Sequence, residues 1–376
     1  MLYTNVLSPV FYYNVVARKR RTFAAGFFGI LLFFDLVQLY NGVDVPSFIV
    51  SNGLFISTYF CVISFYYFVN DYDGIKKLYR DVLVFNAIMV VIAIPFFFMD
   101  RPAMDTFWYI NKITRGYAEF PRLAMFTYEA SYYSLLFLPV FYYYSLKFIF
   151  NDITSYRWLT FLLAAVPMLL SLSFGVLGTS FITIILMCFI SARRLFRYKR
   201  AFISVFSAIL LFFLTMLFLA VYFPGNILFA RIENILTGVD TSANGRTVDS
   251  FTMAWRIADS KSLWFGAGLG QIKIITLEIV RRYYNYWGDF PRYDIPNAMG
   301  ETLAIFGLAG VGIRLFLEWY LFFKTRVYSN YYRLSLFIFI FIYQFTGSFI
   351  TNIVEYVIWI LAFSGVFNQF SRAYLK

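Results

Sequence analysis

The chain has 376 residues, 61% of them hydrophobic and only 14% charged, with a formal net charge of +12. A soluble domain carries about 25% charged residues, so the composition excludes one and indicates a polytopic membrane protein. The chain contains no histidine, which removes histidine acid–base chemistry, serine–histidine triads and the usual histidine metal centres.

Apolar runs predict transmembrane helices at 22–40, 47–70, 82–99, 124–150, 158–172, 176–190, 202–223, 298–323, 334–349 and 353–367. A span needs about 20 residues, so the fifth and sixth are short. They meet at Ser171–Ser180, where small and hydroxyl residues interrupt the apolar run. Irregular backbone there is tolerated only under protein or beside a wet cavity; a tight helical hairpin is the plainer alternative. The expected fold is all-α, a polytopic membrane protein of about ten transmembrane helices in a single integral membrane domain, 1–376. One large exported loop, 224–294, contains short helices.

Basic residues set the orientation. Arg18, Lys19, Arg20 and Arg21 precede the first span, Lys76, Lys77 and Arg80 follow the second, and Lys147 and Arg157 flank the turn after the fourth. Arg193, Arg194, Arg197, Lys199 and Arg200 follow the sixth, Lys324, Arg326 and Arg333 the eighth, and Arg372 and Lys376 end the chain. Ten spans put all of these on one side, the cytoplasm, with both termini. No small-residue cleavage site follows the first apolar segment, which reads as a retained span. These turns account for most of the net charge, so nucleic acid is not an expected partner. Phe (49) and Tyr (31) are abundant, as suits membrane interfaces and helix packing. Cys61 and Cys188 lie inside spans, where neither a disulfide framework nor a cysteine zinc site is expected.

The exported loop is nearly neutral, but six of its eight cations are arginine, whose planar fork suits carboxylate and phosphate. Arg246 to Ser260 reads as an amphipathic helix with Val248, Phe251, Trp255 and Ala258 on its apolar stripe. Asp249 and Arg256 fall on another face. Lys273 to Trp287 is a second helical stretch, in which Glu278 stands four before Arg282 as an ordinary helix ion pair. Each arginine has an equally ordinary structural reading, so the functional reading rests on several of them beside one membrane cavity.

Some motifs fail on context. Gly266-Ala267-Gly268-Leu269-Gly270 lacks the strand–turn–helix unit of a dinucleotide site. Asp71-Tyr72-Asp73 falls in a short cytoplasmic turn beside lysines. No internal repeat is apparent, which counts against an inverted-repeat transporter. Arg122 and Glu129 frame the outer end of the fourth span, and Glu301 enters the eighth one turn after Asn297. Arg314 and Glu318 form an i, i+4 pair deeper in the same span. Asp35 and Glu355 read as isolated intramembrane charges, functional by default.

Three pieces resemble the bacterial O-antigen polymerase and ligase superfamily, the Wzy-type polymerases in particular. Pro121-Arg122 through Glu129-Ala130-Ser131 is similar to an arginine followed by Glu-Pro-Ser, with Ala130 in place of proline. Gly245-Arg246 and Trp255-Arg256, followed by Trp264-Phe265-Gly266-Ala267-Gly268-Leu269-Gly270, resemble an arginine-rich helix leading into a glycine segment. Pro296-Asn297, Glu301 and Gly307-Leu308-Ala309-Gly310 are similar to the stretch opening a late span. Ligases carry histidine where Pro296 stands, and an arginine where Phe174 follows Ser173. Both departures favour a polymerase.

The resemblance implies a glycosyltransferase of the bacterial inner membrane that joins oligosaccharide repeat units carried on undecaprenyl diphosphate. A hydroxyl of one lipid-linked unit attacks the anomeric carbon of the growing glycan, and lipid diphosphate leaves. Fixed arginines stabilise the negative charge that develops. Arg122, Arg246 and Arg256 are the expected diphosphate contacts, with Arg281, Arg282 and Asn297 beside them. Glu301, Glu129 and Asp294 are the candidate bases, and nothing in the sequence ranks them. No metal, nucleotide or other cofactor is implied. Membrane lipid, a chain-length regulator and a flippase are the implied partners. A lipid-linked oligosaccharide flippase or transporter, and a ligase of the same superfamily, are the alternatives.

Overall fold

The computed structural model describes residues 9–10, 12–13, 24–71, 74–112, 119–150, 156–195, 221–222, 227–285 and 294–372. In chain order these form α1 (Ala24–Tyr40), α2 (Val45–Asp71), α3 (Ile75–Phe96), the short α4 (Arg101–Met104), β1 (Trp108–Lys112), β2 (Glu119–Leu123), α5 (Ala130–Ile149), α6 (Arg157–Leu170) and α7 (Phe174–Leu195). There follow α8 (Ile227–Leu236), α9 (Thr241–Arg246), α10 (Val248–Asp259), α11 (Ile272–Tyr284), α12 (Ala298–Lys324), α13 (Tyr331–Tyr343) and α14 (Ile353–Phe363). Among the described residues, four helices are long and apolar enough to cross a membrane by length and composition: α2, α3, α7 and α12. Helices α1, α6, α13 and α14 are apolar but shorter. The span expected at 202–223 lies outside the described residues apart from 221–222.

The chain divides into two compact units, one of Met1–Tyr72, Ser242–Tyr328 and Ile340–Val366, the other of Asp73–Thr241, Ser329–Phe339 and Phe367–Lys376. In the first, Leu31 and Phe34 of α1, Phe48 of α2, Ala254 and Ile257 of α10, and Ala304 and Phe306 of α12 share one core. Helix α10 packs on α11 and α12, and α14 packs on α2. The stripe expected on α10 is corrected. The fully buried face is Ser250, Met253, Ala254, Ile257 and Ala258, while Val248 and Trp255 are exposed. Ser250, Ala254 and Ala258 let α10 approach α12 closely, Met253 and Ile257 fill the core beside them, and Val248 and Trp255 turn outward. The helix expected over 246–260 is also divided, because Thr247 (φ −112°, ψ −91°) separates α9 from α10.

The second unit adds one small element to the helical fold that the sequence reading lacks. Strands β1 and β2 form an antiparallel hairpin in which Tyr109 faces Arg122. Aromatic and β-branched residues suit a pleated surface, and an isolated hairpin needs something to pack on. Here the Trp108 indole donates to the Ala93 carbonyl of α3 at 2.8 Å, and Phe107 and Trp108 are buried with Val90 and Ala93. The amides of Ala124 and Met125 both donate to the Phe107 carbonyl at 2.9 Å. Met125 has a left-handed backbone (φ 51°). The fourth long helix therefore starts at Ala130 rather than at 124.

Candidate functional site

Two glycine segments that the sequence presents separately are one structure in the first unit. Gly307 has φ 65° and ψ −164°, a region essentially restricted to glycine. Helix α12 is therefore two helical pieces, 298–306 and 308–324, where a continuous span was expected. The backbone groups freed by the break pair with the other segment. The amides of Leu308 and Ala309 donate to the carbonyls of Leu263 and Trp264, each at 3.0 Å. Those of Ala267 and Gly268 donate to Ala304 and Ile305 at 2.8 and 3.1 Å, and the Gln38 amide of α1 donates to Ile305 at 2.9 Å. A Cβ on Gly266 would collide with the backbone of Ile305, and one on Gly307 with that of Trp264. Both glycines serve close backbone approach, which is how apolar surroundings tolerate irregular chain. Gln271 and Asp44 then exchange two hydrogen bonds, at 2.9 and 3.1 Å, tying the segment to the α1–α2 turn.

The start of α12 is equally committed. Asn297 is fully buried; its Oδ1 accepts the Gly300 amide at 2.5 Å and its Nδ2 donates to the Arg246 carbonyl at 2.6 Å. The amides of Ala298 and Met299 donate to the carbonyls of Gly347 and Gln344 at 3.1 and 3.0 Å. The first-turn donors that could hold an anion are thus used by protein. Asn297, expected as a substrate contact, has both side-chain polar atoms bonded to protein, and its Nδ2 holds the end of α9, at Arg246, beside α12. Glu301 lies one turn in and is half-buried, its Oε2 accepting the Ile350 amide at 2.6 Å.

The loop arginines differ in setting. The Arg256 guanidinium lies 4.9 Å from the centroid of the Tyr283 ring, and the Tyr283 hydroxyl donates to Asp249 at 3.2 Å. Loss of water, then the Asp249 carboxylate, raise the Tyr283 hydroxyl above its ordinary pKa, so it remains a donor at neutral pH. Tyr283 links the Asp249–Arg256 face of α10 to α11; nothing local in the sequence marks that link, because its partners are on another helix. Arg281 is half-buried, and its Nε has no hydrogen-bond partner. Arg282 is exposed and paired with Glu278, as the spacing predicts. Asp294 is exposed, 3.8 Å from Lys273. The first unit thus gathers Arg246, Asn297 and Glu301 at one helix start, with Arg256 and Arg281 on the neighbouring α10 and α11.

Arg122 and Glu129 belong to the second unit. Arg122, on β2, is half-buried with its guanidinium 5.2 Å from the Tyr109 ring centroid. Glu129 is the extended residue before α5, and its side chain makes no capping hydrogen bond.

Glu355 was expected to be isolated and is not. Arg314 Nη2 donates to Glu355 Oε1, Nε to Glu318 at 3.2 Å and to Gln344 at 2.8 Å, and Nη1 to Thr302 Oγ1 at 3.1 Å. Twelve residues of unbroken helix rise about 18 Å, beyond an arginine's reach, so the break at Gly307 is what brings Arg314 to Thr302. No sequence signal joins Arg314 to Glu355, which stands 41 residues away.

No family model, no curated protein and no solved structure matches this chain. Fold and composition together define a helical membrane protein.

Proposed function

We propose that the protein polymerises oligosaccharide repeat units carried on undecaprenyl diphosphate at the outer face of the bacterial inner membrane. In this reading the chain crosses the membrane about ten times, with both termini cytoplasmic and the 224–294 loop exported. The observation that carries the reading is the bond from Asn297 to Arg246. It unites two of the pieces that resemble O-antigen polymerases, and it holds the backbone of Arg246 against the helix start that carries the half-buried Glu301. Arg246, Arg256 and Arg281 neutralise the leaving diphosphate, and fixed donors in a water-poor site are effective there. Glu301 receives the acceptor hydroxyl's proton while that oxygen bonds to the anomeric carbon. Its Oε2 is held by the Ile350 amide, which orients the carboxylate. The chemistry needs no nucleotide and no metal.

The test is purified protein in detergent with a lipid-linked repeat unit as sole substrate. Longer lipid-linked glycan in the absence of any ion gradient is the expected product. A cytoplasmic reporter signal from a fusion near Thr241 would place the loop on the wrong side and end the proposal. The second reading, a lipid-linked oligosaccharide transporter, is favoured by one observation, the broken α12 with buried charge in its second piece. It predicts vesicle uptake without chain lengthening.

A further inference from the structure

The buried charges around Arg314 do not balance. Arg314 and Glu318 of α12 and Glu355 of α14 are in direct contact. Glu301 of α12 and Tyr356 of α14 lie within electrostatic range of the same groups. One guanidinium thus faces three carboxyl groups. Among the described residues the elements packed around them supply no offsetting cation. Gln344 donates to Glu318 Oε2 at 2.9 Å but is uncharged. Asp294, which also acts on Glu301, is a further carboxylate. Helix α2, packed on α14, carries its only charged residue, Asp71, at its C-terminal end. Helix α10, packed on α12, keeps Asp249, Arg256 and Asp259 off its fully buried face.

A second observation is independent of the count. Glu355 is fully buried, and its Oε2 has no hydrogen-bond partner. An unmade hydrogen bond at a buried ionised oxygen is more costly than at a neutral group, and surplus charge within the membrane is costly again. Among the described residues no group of acidic ligands could hold a metal ion.

We propose that this cluster is a proton-binding site, in which at least one proton taken from water is shared among the carboxyl groups of Glu301, Glu318 and Glu355. The titration belongs to the cluster as a unit. The proton lets Arg314 clamp the two pieces of α12 through Thr302, and it binds whether or not the protein acts on glycans.

Infrared spectroscopy of the full-length protein in detergent at neutral pH tests this. A carbonyl band of protonated carboxylic acid should be present in the wild type and should be lost or weakened in at least one of Glu301→Gln, Glu318→Gln and Glu355→Gln. Arg314→Gln, which removes the cation in contact with Glu318 and Glu355, should roughly double the band. The wild-type measurement depends on no variant folding. No such band in the wild type, or a band unchanged in all three glutamine variants, overturns the proposal.

Discussion

Gly307→Ala tests the packing on which the whole site is built. Alanine at φ 65°, ψ −164° carries backbone strain of about 1–3 kcal/mol. Its Cβ would also push against the Trp264 backbone, opening the bonds from Leu308 and Ala309 to Leu263 and Trp264. Each of those contributes about 0.5–1.5 kcal/mol, so the combined loss is about 2–6 kcal/mol. That is a large fraction of ordinary folding stability. The assay is heating purified protein in detergent and following the monodisperse fraction by size exclusion. Gly312→Ala is the control in the same helix: its Cβ meets nothing within 4 Å, and alanine should add up to about 1 kcal/mol through helix propensity. A melting midpoint for Gly307→Ala equal to or above wild type would refute the reasoning. So would equal losses in both variants.

Asn297→Ala removes a buried cap and the tie to Arg246, and should cost about 2–4 kcal/mol; Asn297→Ser keeps an oxygen for Gly300 and should lose about half of that in the same melts. Arg256→Ala should abolish polymer at normal membrane abundance. Arg256→Lys should recover little, because a point charge lacks the fork; full chain length with lysine would end bidentate diphosphate binding at this position, and loss of both variants from the membrane would make the residue structural. Glu301→Gln retains an oxygen for the Ile350 amide, so the fold should survive while turnover falls by roughly 10²–10⁴-fold and single lipid-linked units accumulate. Glu278→Gln, breaking only an exposed pair, should be nearly silent.

Helix positions were largely legible, because apolar runs and the 3.6-residue period are local properties. Helices α1, α2, α7 and α11 lie close to where the sequence places them, whereas α3 begins seven residues earlier and takes in Lys76, Lys77 and Arg80. The Glu278–Arg282 and Arg314–Glu318 pairs follow from spacing alone. The hairpin was missed because it is short and draws its support from Ala93 on α3. On α10 the expected stripe shares only Ala258 with the fully buried face, which is instead Ser250, Met253, Ala254, Ile257 and Ala258, because packing against α12 selects the face.

The sequence by itself determined that this is a helical membrane protein without histidine chemistry, and which arginines and carboxylates stand outside or at the ends of its apolar runs. Composition and run length decide those points without reference to distant residues. Tertiary structure alone decided that α12 breaks at Gly307, that Asn297 serves Arg246, and that Arg314 meets Glu355. Each depends on a partner tens of residues away, and backbone conformation at a glycine or the pairing of a buried charge is set by whatever the fold brings against it.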